Sequence, residues 1–419
     1  MAAKKDNQRL YKEREKRVYD AISLKKPDRV PIVTAAEFFF TWAAGLTSAE
    51  AMYDYEKMAE GWKQSMKCYN WDMAPLQHAI RPGPVMELLG MKTFNWPGYN
   101  LGDNVYYQWV ENDYMKEDEY DELLRNPSDF TIRTILPRMA GIFEPFQLLP
   151  PITSLTMGYT IISLAAAFAG LPPFIEMMDK LKEAGKENAR WNAVQAQLTK
   201  DLKEMGYPVL VGALTLAPFD WVSDCLRGMK GSMLDIYRRP EKLKAAIELV
   251  KPLTLQLAEM QAKQTGINRI YIPLHRGAAG FMSDKQFEEF YWPSFKWLLL
   301  TLIDEDLVPM PFFEGDYTPR LKYLAELPPG KILGHFDKID RKKYKEILGD
   351  VMCFWGNVPE KLLCLGTPEQ VRDDVRELID TFGDNGGLIV DAGSTGPPPE
   401  SKFENVVAMT EAVFEYGKN

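Results

Sequence analysis

The chain has 419 residues, with 50 basic and 59 acidic side chains and a formal net charge of −9. That balance repels phosphate backbones and argues against nucleic acid as the main partner. Apolar residues at 46% against 26% charged provide for a large core and exclude a disordered chain.

Four cysteines, Cys68, Cys225, Cys353 and Cys364, lie far apart with no CxxC pair, which fits a reducing compartment. The opening MAAKKDNQRLYKEREKR is charged throughout and has no apolar segment of a secretory signal, so a cytoplasmic enzyme is expected.

Residues 11–24 read as a helix that stops before Pro27, followed by the short apolar strand DRVPIV. Similar apolar runs recur as strand candidates: MAPLQ (73–77), PVLVGAL (208–214), RIYIPL (269–274), LVPMPFF (307–313), KILGHF (331–336), VMCFW (351–355) and GLIVDAG (387–393). Between the later ones lie helical stretches at 283–306, 318–327, 340–348 and 367–384, with apolar residues at three-and-four spacing. Continuous apolar strands alternating with amphipathic helices predict a parallel sheet covered on both faces. About eight strands without a linker predict one domain over 1–419, a (β/α)₈ barrel with an N-terminal helix and an insertion around 85–200.

Residues 145–175 carry no charge and are long enough to cross a bilayer. Pro150, Pro151, Pro172 and Pro173 at the edges, and no adjacent basic cluster, argue against a span. The segment reads as a buried helix, or as an apolar wall or lid over a substrate.

In such a barrel the chemistry belongs at the carboxyl ends of the strands. The polar residues there are Glu37, His275, Glu314, His335, Asp337, Asn357, Asp391 and Ser394. Strands of a barrel lie about 5 Å apart, so Glu314 and His335, on successive strands, are expected as neighbours. A carboxylate and an imidazole form two legs of a catalytic zinc site, which needs three protein ligands. The same pair also reads as a core histidine beside a helix-capping glutamate. His78 and Arg276 are candidates for holding an anionic group. No GxGxxG, GxxxxGK[ST] or GxSxG element follows a strand, which disfavours dinucleotide, nucleoside-triphosphate and serine-hydrolase chemistry.

The opening REKRVYDAISLKKPDRVPI, the late WGNVPEKLLCLGTPEQVRDDVRELID and the ending GGLIVDAGSTGPPPESKFENVVAMTEAVFEYGK together resemble the uroporphyrinogen decarboxylase-like superfamily. The resemblance covers about two thirds of the chain, omits 85–200, and implies the same barrel. Porphyrinogen decarboxylases of that superfamily place arginines just after the first strand, whereas no Arg occurs here between Pro31 and Ile80. The chain is more similar to the corrinoid-dependent methyltransferases. Where thiol-methylating members carry HxCG and a later GC, this sequence reads Phe312-Phe313-Glu314-Gly315 and Gly393-Ser394. It resembles the methyltransferase component of aryl methyl ether O-demethylases, whose zinc pattern includes a Glu followed after twenty residues by a His, as in Glu314 and His335. That pattern also expects an earlier Glu where this chain has Leu299, so the third ligand is open among Asp391, Cys353 and His275.

The resemblance implies Zn²⁺ held by Glu314 and His335, activating the ether oxygen of a methoxylated aromatic compound. The methyl group would pass to the Co(I) corrinoid (cobalamin) of a partner protein. His275 or Asp391 would protonate the departing phenolate, and Phe38, Phe39, Trp42 and Phe312 would stack on the ring. Other donors, such as methanol or a methylamine, a metal-free decarboxylase, a non-catalytic binding barrel and a homo-oligomeric state remain open on sequence.

Overall fold

A computed structural model describes residues 2–75, 80–156, 158–383, 386–393 and 396–418; His78 and Ser394 lie outside them. Six strands form one parallel sheet in chain order: β1 (Ala213–Leu214), β2 (Arg269–Leu274), β3 (Val308–Asp316), β4 (Leu333–Lys338), β5 (Cys353–Trp355) and β6 (Leu388–Ile389). Two further segments close the ring through single parallel bridges, Ile32 to Val390 and Ala74 to Val209. The Asp72 amide completes the seam between them by donating to the Ile32 carbonyl at 2.9 Å. Eight strand positions therefore enclose one barrel, as the alternation of apolar runs and helices predicts.

Strand alternation sorts the side chains into two populations. Val33, Met73, Tyr271, Met310, Leu333, Cys353, Trp355 and Ile389 cluster inside the barrel. Ile270, Ile272, Leu274, Phe313, Phe336, Phe354 and Val390 join the larger cluster under the helices. The first helix, α1 (Ala2–Ile22), sends Val18, Ala21 and Ile22 into the interior cluster and so plugs the amino-terminal end of the barrel. The same end is tied by Asp72, which is fully buried and meets Arg17 at 2.6 Å and Arg29 at 2.7 Å. The Ile32 amide donates to the same carboxylate at 2.8 Å, so a buried charge holds the first two strand segments in register.

The insertion is present and helical. It holds an antiparallel pair, Phe94–Asn95 with Gln108–Trp109, and the 33-residue helix Pro172–Glu204. The uncharged run at 145–175 is not the buried helix that its composition suggests. It breaks into short turns, including 3-10 helix Ile152–Thr156 and π-helix Ile161–Ala165. Its bulky residues Tyr159, Ile161 and Ile162 are exposed. The prolines and glycines that bound and interrupt it prevent one continuous helix from forming. Among the described residues no single helix is long and apolar enough to cross a membrane. One pair bent by 68°, Ile161–Ala169 with Pro172–Glu204, meets that test by length and composition.

Candidate active site

The strand ends gather inward-facing polar groups in two tiers. The lower tier centres on His335 of β4, which pairs in register with Phe312 of β3 and Trp355 of β5. Its imidazole lies between those two rings, with centroids at 4.6 Å from Phe312 and 4.1 Å from Trp355. Tyr271 of β2 completes this aromatic wall, 6.2 Å from Phe312. His335 Nε2 faces Asp391 Oδ2 at 2.7 Å, and neither side chain reaches solvent. The contact is short but not aligned as a hydrogen bond, leaving both imidazole nitrogens and Asp391 Oδ2 without a hydrogen-bond partner. Asp391 Oδ1 accepts from the amides of Ala35 at 3.1 Å and Ala392 at 2.6 Å. Burial pushes the Asp391 carboxyl above its ordinary value, against the pull of His335 and those amides.

The upper tier holds His275, one residue past the end of β2. Its Nδ1 contacts Asp224 Oδ2 at 2.5 Å, and its amide donates to Asp220 Oδ2 at 3.1 Å. Asp224 sits in the π-turn Ser223–Arg227, a local irregularity of the kind common at functional sites. Burial alone would lower the His275 pKa. The Asp224 contact, with the charges of Asp220 and Glu314, outweighs it, and the imidazole is pushed up to about 9. Arg276 bridges Asp224 and Glu111, each at 3.1 Å. Gly277 allows the chain to continue, because a Cβ there would stand 2.6 Å from the Tyr317 hydroxyl.

Glu37 closes the constellation from the first strand. Loss of hydration pushes its carboxyl up to about 7, against the pull of Arg81 and of the Tyr107 hydroxyl. That hydroxyl donates to Glu37 Oε1 at 3.4 Å. Glu37, Asp391 and Glu314 all act electrostatically on the half-buried Tyr271 phenol. Sequence patterning did not single out Asp224, Arg81, Tyr107 or Tyr271, since each stands on an insertion, a loop or an otherwise apolar strand.

Glu314 stands two residues beyond Phe312, the strand neighbour of His335. His335 pairs with Phe312, and a register shift between Phe313 and Asp316 follows, with Gly315 at φ +85°. Glu314 is exposed, whereas His335 is fully buried. Of the third-ligand candidates, Asp391 meets His335, Cys353 lies lower in the barrel opposite Leu333, and His275 is committed to Asp224. Among the described residues no three His, Cys, Asp or Glu side chains converge to hold a metal ion. A catalytic zinc needs three protein ligands, so this arrangement does not fit one.

The aromatic expectations divide. Phe38 packs on Trp42 at 6.0 Å and edge-on to Tyr107 at 5.7 Å, beside Glu37. Phe312 faces inward on His335. Phe39, the first residue of the short helix Phe39–Ala43, instead packs against Tyr69 and Trp71 in the core under the helices. A pocket of about 690 Å³ lies beside the ends of β4 and β5, lined by Asp337, Arg341, Asn357 and Gly393 among others. It contains neither imidazole, and its Arg341 is already ion-paired to Asp374, so the chemistry belongs to the barrel mouth.

Residues 140–416 match the uroporphyrinogen decarboxylase family. The match takes in part of the insertion, which none of the motifs carrying the resemblance covers, and leaves out the opening motif at 14–32. A methyltransferase from Methanosarcina mazei has a similar fold, with a TM-score of 0.61 and 16% sequence identity, covering 96% of this chain and 98% of that chain. No curated protein matches the sequence. With two thirds of its length matched, including every strand of the parallel sheet, the chain belongs to the uroporphyrinogen decarboxylase family.

Proposed function

We propose that the chain is a methyltransferase that demethylates a methoxylated aromatic compound and passes the methyl group to a corrinoid on a partner protein. The observation that carries the reading is the His275–Asp224 pair set above an aromatic wall of Tyr271, Phe312 and Trp355. An aryl methyl ether is inert because its displacement expels phenolate. A group that neutralises the oxygen as charge develops lowers that barrier, at about 1.4 kcal/mol per tenfold in rate.

The Co(I) corrinoid, when docked, supplies the nucleophile. This chain's own residues bind the ring against the aromatic wall, keep water from the buried tier, and hold a proton on His275 for the departing oxygen. Asp224 Oδ2 fixes the Nδ1 side of the imidazole, which leaves Nε2 as the proton donor. Asp391 is less suited to that role, since its Oδ1 is engaged by two amides. Zinc on the ether oxygen is not part of this mechanism, because among the described residues no three His, Cys, Asp or Glu side chains converge to hold it.

Family membership keeps decarboxylation as a second reading. A polycarboxylated porphyrinogen needs several cations to offset its buried charges. Arg276 is committed to Asp224 and Glu111, which leaves too little positive charge at the mouth among the described residues. The test is incubation with a methoxylated arene and a reduced corrinoid protein, followed by chromatography for the free phenol. Carbon dioxide released from an acidic substrate, with no phenol formed from any arene, would favour the second reading.

A further inference from the structure

Asp220 stands in the short helix Pro218–Val222, which follows β1, and is fully buried. Its two oxygens take successive backbone amides at the end of β2: Oδ2 accepts from His275 at 3.1 Å and Oδ1 from Arg276 at 3.0 Å. Tyr291, buried in the π-turn Phe287–Tyr291, donates its hydroxyl to Oδ2 at 2.6 Å. Three separate elements thus meet on one carboxylate. It fixes the peptide that carries the imidazole, and that imidazole reaches Asp224 through Nδ1.

Burial and the charge of Asp224 push the Asp220 carboxyl up to about 6, against the pull of His275, the Tyr291 hydroxyl and the His275 amide. Two buried carboxylates side by side are costly, and a neutral side chain would pack at position 220 at less cost. Their common counterion is His275, whose charged form both favour. The other charges facing the pair are Glu314 on β3, which acts on His275, and Arg276, which pairs with Asp224 at 3.1 Å.

We infer that Asp220 is a positioning residue for the proton step: by clamping the His275 and Arg276 amides it aims the imidazole at Asp224 and leaves Nε2 free to donate. The catalytic consequence rests on the role proposed for His275, but the clamp itself stands on the three hydrogen bonds. An amide side chain has one acceptor oxygen in place of two, so Asp220→Asn must release a backbone amide as well as remove a charge. A bare charge effect and a lost aim differ in one respect. Independent charges contribute additively, whereas an imidazole no longer aimed at Asp224 gains little from that partner.

The test is an NMR titration of the full-length chain labelled at its three histidines, with the His275 signal assigned from His275→Gln. Wild type is expected to titrate at about 9. Asp220→Asn is expected to make the imidazolium at least about tenfold more acidic. Asp224→Asn should then add less in that background than it does alone. An unmoved His275 titration in Asp220→Asn, or full additivity of the two substitutions, would overturn the inference. If Asp220→Asn does not fold, hydrogen exchange of the wild-type chain decides. The His275 and Arg276 amides are expected to exchange slowly, and rapid exchange of both would show that the carboxylate does not hold them. None of these measurements needs turnover. If they come out as expected while no methyl group is ever transferred, the demethylase reading fails and the clamp stands. If methyl transfer is seen but the His275 titration is unmoved, the reverse holds.

Discussion

His335 Nε2 stands 2.7 Å from Asp391 Oδ2, with both side chains sealed from solvent and the imidazole set between Phe312 and Trp355. Asp391 does structural work there as well, because its other oxygen takes the amides of Ala35 and Ala392 and so ties the last strand to the first.

Asp391→Leu strands those two amide donors. A loss of about 1–3 kcal/mol for each buried group left unsatisfied is expected in urea denaturation. Asp391→Asn, which keeps the acceptor oxygen, should lose much less. Equal midpoints for the two variants would show that the carboxylate is not needed at the seam.

The His275 imidazole, pushed up to about 9, stays charged through neutral pH and loses its proton as pH rises through about 9. Methyl transfer is therefore expected to be level below that value and to fall above it. Asp224→Asn removes the partner that favours the charged form, so the fall should move to lower pH. A pH profile that is the same in wild type and Asp224→Asn would separate His275 from the proton step.

Because no three His, Cys, Asp or Glu side chains converge among the described residues, Glu314→Ala is expected to leave the metal content of the purified protein unchanged. Elemental analysis of the two proteins side by side decides it. Loss of a stoichiometric zinc ion on that substitution would restore the Glu314–His335 metal centre and displace the acid assigned to His275.

The barrel was legible because its signal is repetitive. RIYIPL and LVPMPFF read as buried parallel strands and form β2 and most of β3, and the strand-end rule placed His275, His335 and Asp391 at the mouth. The register shift between Phe313 and Asp316, around Glu314, is not legible in the spacing, since it accompanies one glycine at positive φ. Phe38 and Phe39 diverge because the chain turns into a helix at Phe39, which a run of three phenylalanines does not reveal. Asp224, Arg81 and Tyr107 reach the site only through tertiary folding of a π-turn, a loop and the insertion, so no local pattern marks them. The uncharged run at 145–175 misled in the opposite direction, since composition alone argued for burial that its breaks do not allow.

Transfer of an isotope-labelled methoxyl group from a methoxylated benzoate to a reduced corrinoid protein tests the central claim most directly, with wild type and His275→Ala compared at pH 7. The account predicts labelled corrinoid and free phenol with wild type, and a rate lower by roughly 100- to 10,000-fold in the variant. Label that remains on the arene with wild type, or transfer that proceeds equally well without the imidazole, would contradict it.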